Sequence, residues 1–190
     1  MEIENAQREL RTAYLGGSPG MLAASLVWCA SAALGALSGP RAAIVATSVG
    51  GTLIHPAGLL FLRFIGRRPV LSSDNPIRQL AVQAALVIPL ALPIVWAVAL
   101  YNVTWFFPAL MILVGAHYLP FAFLYGMPEY VGLAVVLVGA GLVNGTLIQT
   151  GFSTAGWLGG FVLAAAAAVI QARSGRASVR ASQNPNRGPA

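Results

Sequence analysis

Six long apolar runs, separated by short polar connections, constrain this chain more than any other feature of its sequence. Each run holds about twenty or more residues, and at ~1.5 Å rise per residue a helix of that length crosses the ~30 Å hydrocarbon layer of a membrane. Backbone groups find no water partner in lipid, so each run must satisfy its own hydrogen bonds as an α-helix. The predicted spans are residues 15–38, 42–65, 77–101, 104–125, 128–149 and 151–172.

Composition agrees with this class. Hydrophobic residues make up 57% of the chain and charged residues only 8%, whereas a soluble domain carries about a quarter charged residues. We therefore predict an all-α fold, a polytopic bundle of six transmembrane helices over residues 15–172. The main alternative has four or five spans and a re-entrant stretch near Gln149, Thr150 and Gly151, which form the whole turn between the last two runs.

The arginines predict an orientation. All eleven basic residues are arginine, and if six helices cross the membrane, ten of them fall on one side and only Arg41 on the other. By the positive-inside rule the N-terminus and the C-terminus are both cytoplasmic. Five spans would place the C-terminal arginines outside. Arginine without lysine and abundant alanine suggest a GC-rich bacterial genome, so we expect a multi-pass protein of the bacterial inner membrane.

The net charge of +6 raises the question of nucleic acid. The arginines flank apolar spans, a pattern typical of contact with an anionic lipid leaflet, and the chain lacks a basic helix or an aromatic–basic module. We predict the lipid bilayer as the partner and no nucleic acid.

Three segments are predicted to lie outside the bilayer. Residues 1–14 favour a short interfacial helix; a signal peptide cleaved after residues 36–38 competes, but acidic residues at positions 2 and 4 argue against it. In the loop at residues 66–75, Ser72, Ser73 or Asp74 could start the third helix. Residues 173–190 are polar and are predicted to form a disordered basic tail in the cytoplasm.

Two histidines are the main candidates for chemistry within the spans. His55 and His117 lie on predicted helices that run in the same direction, at similar depth. Pro56 and Pro120 follow them closely and would bend each helix, which frees a backbone carbonyl for another partner. Ionisable groups at this depth usually mark function.

One hypothesis is a cavity that binds a small molecule near the bilayer midplane. Its predicted lining is His55, His117, Tyr118, Gln83, Pro56 and Pro120. The alternative, which we favour slightly, is that each histidine donates one hydrogen bond between helices, for instance to Gln83, Tyr118 or a carbonyl. No metal is predicted, because no Cys, Asp or Glu near the histidines completes a ligand set.

Aromatic residues and glycines suggest simpler roles. Tyr125 and Tyr130 are interpreted as an aromatic belt at the inner membrane boundary, with Glu129 favouring the positive end of the fifth span. The alternative is that this stretch forms the wall and inner mouth of a binding cavity. An outer belt is predicted at Trp96, Tyr101, Trp105, Phe106 and Phe107. Pairs of glycines four residues apart predict close helix packing. These pairs are Gly35 with Gly39, Gly141 with Gly145, and Gly156 with Gly160.

Function remains open between two classes. No catalytic signature occurs, so we predict that the chain is not an enzyme and needs no cofactor. The preferred hypothesis is a permease or channel-like carrier of small solutes, working as a homo-oligomer because six short-looped helices enclose little space. The alternative is a non-transporting accessory or envelope protein of the membrane, whose polar residues only pack helices.

Several motifs spread along the chain carry a resemblance to a family. They are Tyr14-Leu15-Gly16-Gly17, Asn75-Pro76, Trp105-Phe106-Phe107-Pro108-Ala109, Val114-Gly115-Ala116-His117-Tyr118-Leu119-Pro120 and Leu124-Tyr125-Gly126-Met127. The chain resembles a family of small uncharacterised bacterial integral membrane proteins, catalogued as a domain of unknown function. The resemblance covers nearly the whole chain and implies a multi-span membrane fold, but it implies no activity.

Overall fold

The structure is a computed structural model that describes residues 1–148 and 151–183, with side chains as far as Ser174. It contains seven α-helices and, within the described residues, no strand. The helices are α1 Ile3–Ala13, α2 Ser18–Ser38, α3 Pro40–Phe64, α4 Arg78–Tyr101, α5 Phe106–Tyr125, α6 Glu129–Val143 and α7 Phe152–Gln183. Six of them, α2 to α7, are long and apolar enough to cross a membrane. The predicted all-α bundle with six candidate spans is confirmed.

The helix ends differ most from the predicted spans at two places. A π-helical turn, Asn144–Ile148, continues α6, while Gln149 and Thr150 of the predicted turn lie outside the described residues. Helix α7 runs on to Gln183, so it takes in the first part of the segment predicted to be a disordered tail. Residues 184–190 of that segment also lie outside the described residues.

The helices pack in two groups that α7 joins. In the first group α2 packs between α3 and α7, and in the second α5 packs between α4 and α6. Helix α7 also contacts α5 and α6. Helices α3 and α4 are the least covered. Of the residues in the most apolar stretch of each, only 11% are buried, against 44% for the span that contains α5. These two helices therefore present most of their surface to whatever surrounds the bundle.

Glycines set the closest helix approaches. A Cβ on Gly141 of α6 would lie 2.8 Å from the carbonyl oxygen of Pro108 on α5, so only glycine allows this separation. Gly156 likewise faces the Phe107 ring. Gly39, by contrast, forms the junction between α2 and α3, and nothing lies within 4 Å of an added Cβ there. Close helix packing was predicted for the pair Gly35 and Gly39. Gly39 makes no such contact.

The predicted outer belt is wrong for two of its members. Phe106 and Phe107 are fully buried and form a cluster with Trp28 and Phe152. They lie at the start of α5, which packs against both α6 and α7, so their rings point into the bundle. Tyr101, by contrast, is 96% exposed, as a belt residue would be.

Candidate functional site

Helix α1 lies against the end of the bundle where α5 ends and the α3–α4 loop passes. The side-chain amide of Gln7 donates to the carbonyl of Phe123 at 2.6 Å. The Arg11 guanidinium donates to the carbonyl of Tyr125 at 2.7 Å. The last carbonyls of a helix have no partner within it, so these two side chains supply partners for the end of α5. The positive charge of Arg11 also suits the negative end of the helix dipole.

The same helix holds the α3–α4 loop through one carboxylate. Glu9 Oε1 accepts from the backbone N–H of Ser72 at 2.7 Å and from its hydroxyl at 2.6 Å. Glu9 Oε2 accepts from the Asn75 side-chain amide, also at 2.7 Å. The hydrogen bonds from Ser72 and Asn75 lower the pKa of Glu9, because they stabilise its charged form.

Asn75 is the buried residue at the centre of this network. Its side chain is 5% exposed, and its amide Nδ2 also lies 3.3 Å from the carbonyl of Ala6. Its Oδ1 accepts from the backbone N–H of Ile77 at 3.1 Å, which fixes the turn before α4. The expected caps were Ser72, Ser73 or Asp74; Asn75 makes the local bond, and Ser72 instead turns to α1.

A tight turn at Leu15–Gly17 connects α1 to α2 beneath a tyrosine pair. Leu15, Gly16 and Gly17 all have positive φ angles, 51°, 63° and 84°. The hydroxyl of Tyr130 donates to the carbonyl of Gly16, and the Tyr130 ring stacks on Tyr125 with centroids 5.6 Å apart. The belt interpretation of these two tyrosines is wrong: they are 1% and 6% exposed, because this turn folds over them.

Glu129, which was expected to favour the positive end of its helix, lies in the first turn of α6. Its carboxylate also forms an ion pair with Arg173 of α7. This pair joins α6 to α7. It lies at the end of the bundle that also holds the α1 network, so that end has a second polar contact between helices.

His117 packs against two aromatic rings of α5, Tyr118 and Phe121. Its ring lies 5.6 Å from the Tyr118 ring and 4.8 Å from the Phe121 ring, centroid to centroid. The backbone of Ala84 on α4 lies beside the ring. Nδ1 is buried, and no hydrogen-bond partner for it exists among the described residues. A buried polar atom in this state is uncommon and points to a ligand, a water or a functional role.

The other predicted site residues are spread over the bundle. Tyr118 is buried beside His117, and Pro120 is half-buried one turn further along α5. Gln83 is exposed near the start of α4. His55 and Pro56 are exposed on α3, a helix that packs mainly on α2. The chain thus brings His117, Tyr118 and Pro120 together, with α4 beside them, and sets His55 and Pro56 on a separate helix.

Two clefts lie near the ends of these helices. One, of about 600 Å³, is lined by residues at the start of α4: Ser73, Asp74, Asn75, Pro76, Arg78, Gln79, Val82 and Gln83. The other, of about 490 Å³, lies between α1 and the α3–α4 loop: Asn5, Arg8, Glu9, Thr12, Ala13, Arg67, Arg68 and Val70. His55 and His117 line neither cleft. Among the described residues, no group of three or more His, Cys, Asp or Glu side chains could hold a metal ion.

Sequence reasoning missed the polar network around α1. The segment was predicted to be a short interfacial helix, and no contact of its polar side chains with the rest of the bundle was predicted. In the structure Gln7, Glu9 and Arg11 instead bind backbone and side chains that are far away in sequence. The pattern of apolar and polar residues cannot distinguish a polar face that meets water from one that meets protein, so the sequence carried no sign of this contact.

Comparison with known proteins gives a family but no relative of known activity. No curated protein matches the chain, and no solved structure matches it. The model of one family matches residues 3–173, a range that holds α1, all six candidate spans and the network described above. The chain therefore belongs to DUF7010, a family of unknown function.

Proposed function

We propose that this protein is a multi-pass protein of the bacterial inner membrane with both ends in the cytoplasm. The support is the distribution of arginines: ten of eleven fall on one side of six helical spans. Reporter fusions test this. Alkaline phosphatase fused after residue 190 should be inactive, and the same reporter inserted beside Arg41 should be active. The opposite pattern would contradict the orientation.

Within that membrane we propose a permease or channel-like carrier of small solutes, with its polar site at the contact of α4 and α5. The observation that carries this proposal is the buried Nδ1 of His117, which has no partner among the described residues. Such an atom is costly to bury alone. A solute or a water that passes between α4 and α5 would supply its hydrogen bond.

Prolines free further backbone carbonyls on the same two helices. Pro89 and Pro93 of α4 have no N–H to donate to the carbonyls of Ala85 and Pro89, and Pro120 of α5 has none for Ala116. Ala85 follows Ala84, the backbone neighbour of His117. Carbonyls released in this way often coordinate substrate where helices are interrupted at membrane depth.

The sparse packing of α4 supports a movement of this helix relative to α5. Helix α4 packs on α5, and only 11% of the residues in its most apolar stretch are buried. Separating α4 from α5 would expose His117 at little cost in buried surface. The proposed site is narrower than the one predicted from sequence, since the exposed His55 and Pro56 belong to α3.

Permeability of proteoliposomes tests the proposal. Stopped-flow light scattering would measure the uptake of urea, glycerol and acetate, chosen as small neutral and anionic probes. We expect at least one probe to pass faster than in empty liposomes, and His117→Ala to change that rate while His117→Gln partly preserves it. His55→Ala is the matched control and should behave as the wild type. If His55→Ala abolishes the flux as well, the wider cavity predicted from the sequence is supported instead.

One observation favours the alternative, a non-transporting accessory or envelope protein. The His117 ring packs on Tyr118 and Phe121, as a purely structural residue would. On this alternative no probe passes, and His117→Ala lowers the stability of the protein in detergent. That combination of results would contradict the carrier.

We also propose a homo-oligomer. Helices α3 and α4 expose large apolar side chains along most of their length, and a second copy could cover them. Native mass spectrometry from a mild detergent should then show more than one chain per particle, while a monomer at all protein concentrations would contradict this.

A further inference from the structure

The cleft between α1 and the α3–α4 loop is rich in arginine. Arg8 of α1, together with Arg67 and Arg68 of the loop, lines a space of about 490 Å³. Glu9 is the one carboxylate among its lining residues, so the lining carries a net charge of +2. The three guanidinium groups come from two segments that the Glu9–Ser72 and Glu9–Asn75 bonds hold together.

Two of these arginines carry charge that the described residues do not neutralise. The ion pairs of the described chain are Arg8 with Glu4 and Arg173 with Glu129. Arg67 donates one hydrogen bond, from Nη1 to the carbonyl of Thr12 at 3.1 Å, which positions its guanidinium beside α1. Arg68 is exposed and lines the same cleft.

The carboxylate in the cleft lowers the net charge of the lining to +2 but forms no ion pair with its arginines. Glu9 directs both of its oxygens to Ser72 and Asn75, and the ion pairs of the described residues do not include it. Arg8 and Glu4 form an exposed pair within one helix, an interaction that contributes little and exchanges readily. A second anion could therefore bind to Arg67 and Arg68 without competing with a buried ion pair.

The arginines of the loop follow the end of a candidate span, and exposed apolar side chains precede and follow them in the chain. Phe64 is the last residue of α3 and is 81% exposed, and Val70, which lines the cleft, is 75% exposed. Arg67 and Arg68 follow Phe64 within one helical turn of chain. Arginines at this position reach the headgroup layer of a bilayer while adjacent apolar side chains meet acyl chains.

We propose that this cleft binds the phosphate headgroup of an anionic phospholipid, with Arg67 and Arg68 as its main ligands and Arg8 at its edge. The paired N–H groups of a guanidinium suit the oxygens of a phosphate diester. Val70 in the lining and Phe64 just before the arginines in the chain are exposed, and they favour a lipid over a free phosphate, because only a lipid also covers apolar side chains. This site is separate from the α4–α5 contact, so it does not depend on transport.

Lipid retention measured by native mass spectrometry tests the site. Purified protein in detergent would be titrated with dioleoyl-phosphatidylglycerol or dioleoyl-phosphatidylcholine. We expect selective retention of the phosphatidylglycerol. Arg68→Gln should weaken it about fivefold, the scale of one arginine near an anionic surface, and the double variant Arg67→Gln with Arg68→Gln should weaken it further. Added salt should reduce it as well.

Arg41→Gln is the matched control, since Arg41 is an exposed arginine at the opposite end of α3. It should leave the retention of phosphatidylglycerol unchanged. Glycerol 1-phosphate, a soluble phosphate compound that has a glycerol but no acyl chains, should compete poorly. Equal retention of the two lipids, or an equal loss with Arg41→Gln, would overturn the site. Efficient competition by glycerol 1-phosphate would overturn the lipid in favour of a soluble phosphate compound.

Discussion

The carboxylate of Glu9 binds both the backbone N–H and the hydroxyl of Ser72, which lies 63 residues further along the chain. Through this contact a short helix outside the spans fixes the loop that connects the two most exposed helices, α3 and α4. On the other side of α1, Arg11 and Gln7 bind the end of α5. Helix α1 therefore connects the two packing groups of the bundle.

The Glu9 contact predicts a pH dependence of stability. The folded protein holds the pKa of Glu9 below its ordinary value of 4.5, so the unfolded chain binds the proton more readily. The stabilisation is fully present above pH 4.5 and decreases as the pH falls through the lowered, folded-state pKa. Glu9→Gln should lower the melting temperature in detergent at neutral pH. The difference between this variant and the wild type should shrink as the pH falls below 4.5; a difference independent of pH would contradict the role of the charge.

The cap on α5 predicts the effect of removing Arg11. Arg11→Ala deletes a charged hydrogen bond to the carbonyl of Tyr125, and such bonds contribute about 1.5–3 kcal/mol. We expect the free energy of unfolding in mixed micelles to fall by about 1–2 kcal/mol, since the bond is partly exposed. Arg8→Ala, on the same helix, removes only an exposed pair with Glu4. It should change stability by less than about 0.5 kcal/mol. Equal effects of the two variants would refute the capping role.

Two glycines of α6 provide a direct test of the α5–α6 contact. A Cβ on Gly141 would meet the carbonyl oxygen of Pro108 at 2.8 Å and Cγ1 of Ile112 at 2.9 Å, whereas nothing lies within 4 Å of a Cβ on Gly139. Gly141→Ala should therefore destabilise the protein by about 1–3 kcal/mol through overpacking. Gly139→Ala should be neutral or stabilising by up to about 1 kcal/mol, because alanine favours helix. Denaturant titration of both variants checks the contrast, which would be absent if the helices separated in the folded state.

The bundle was predictable from sequence because lipid imposes one strong rule: apolar runs of sufficient length must be helices. The glycine pair at Gly141 also followed from spacing alone. The positions of Tyr125 and Tyr130 did not, because hydropathy places a tyrosine near a membrane boundary without telling whether lipid or protein covers it. The turn at Leu15–Gly17 covers them, and its position depends on the fold as a whole.

The candidate site shows the same limit. Helical spacing put Tyr118 and Pro120 near His117, and these neighbours are local in the sequence. The relation of His117 to Ala84, and the exposure of His55, depend on which helices are neighbours. Short connections suggest that consecutive helices are antiparallel neighbours, but the loop between α3 and α4 is the longest of the chain and gives no such information. Helix α3 packs mainly on α2, and α4 packs mainly on α5. No periodicity in either helix reports that arrangement.

The turn between α1 and α2 allows backbone strain and steric crowding to be separated. Gly16 has a φ of +63°, and an added Cβ would lie 2.8 Å from Ser174 Oγ and 3.0 Å from Ile170 Cγ2, both on α7. Gly66 has a similar φ of +75° with nothing within 4 Å of its Cβ. Gly66→Ala should cost about 1 kcal/mol, the penalty of a left-handed backbone for an L-residue.

Gly16→Ala should cost about 1–3 kcal/mol more than Gly66→Ala, since it adds a collision with α7 to the same backbone penalty. The free energies of unfolding of both variants, measured in the same mixed micelles, give the comparison. A larger cost for Gly16→Ala means that the Leu15–Gly17 turn is pressed against α7 in the folded protein, and thereby holds Tyr130 in place through the Gly16 carbonyl. Equal costs would show that this turn is not in contact with α7.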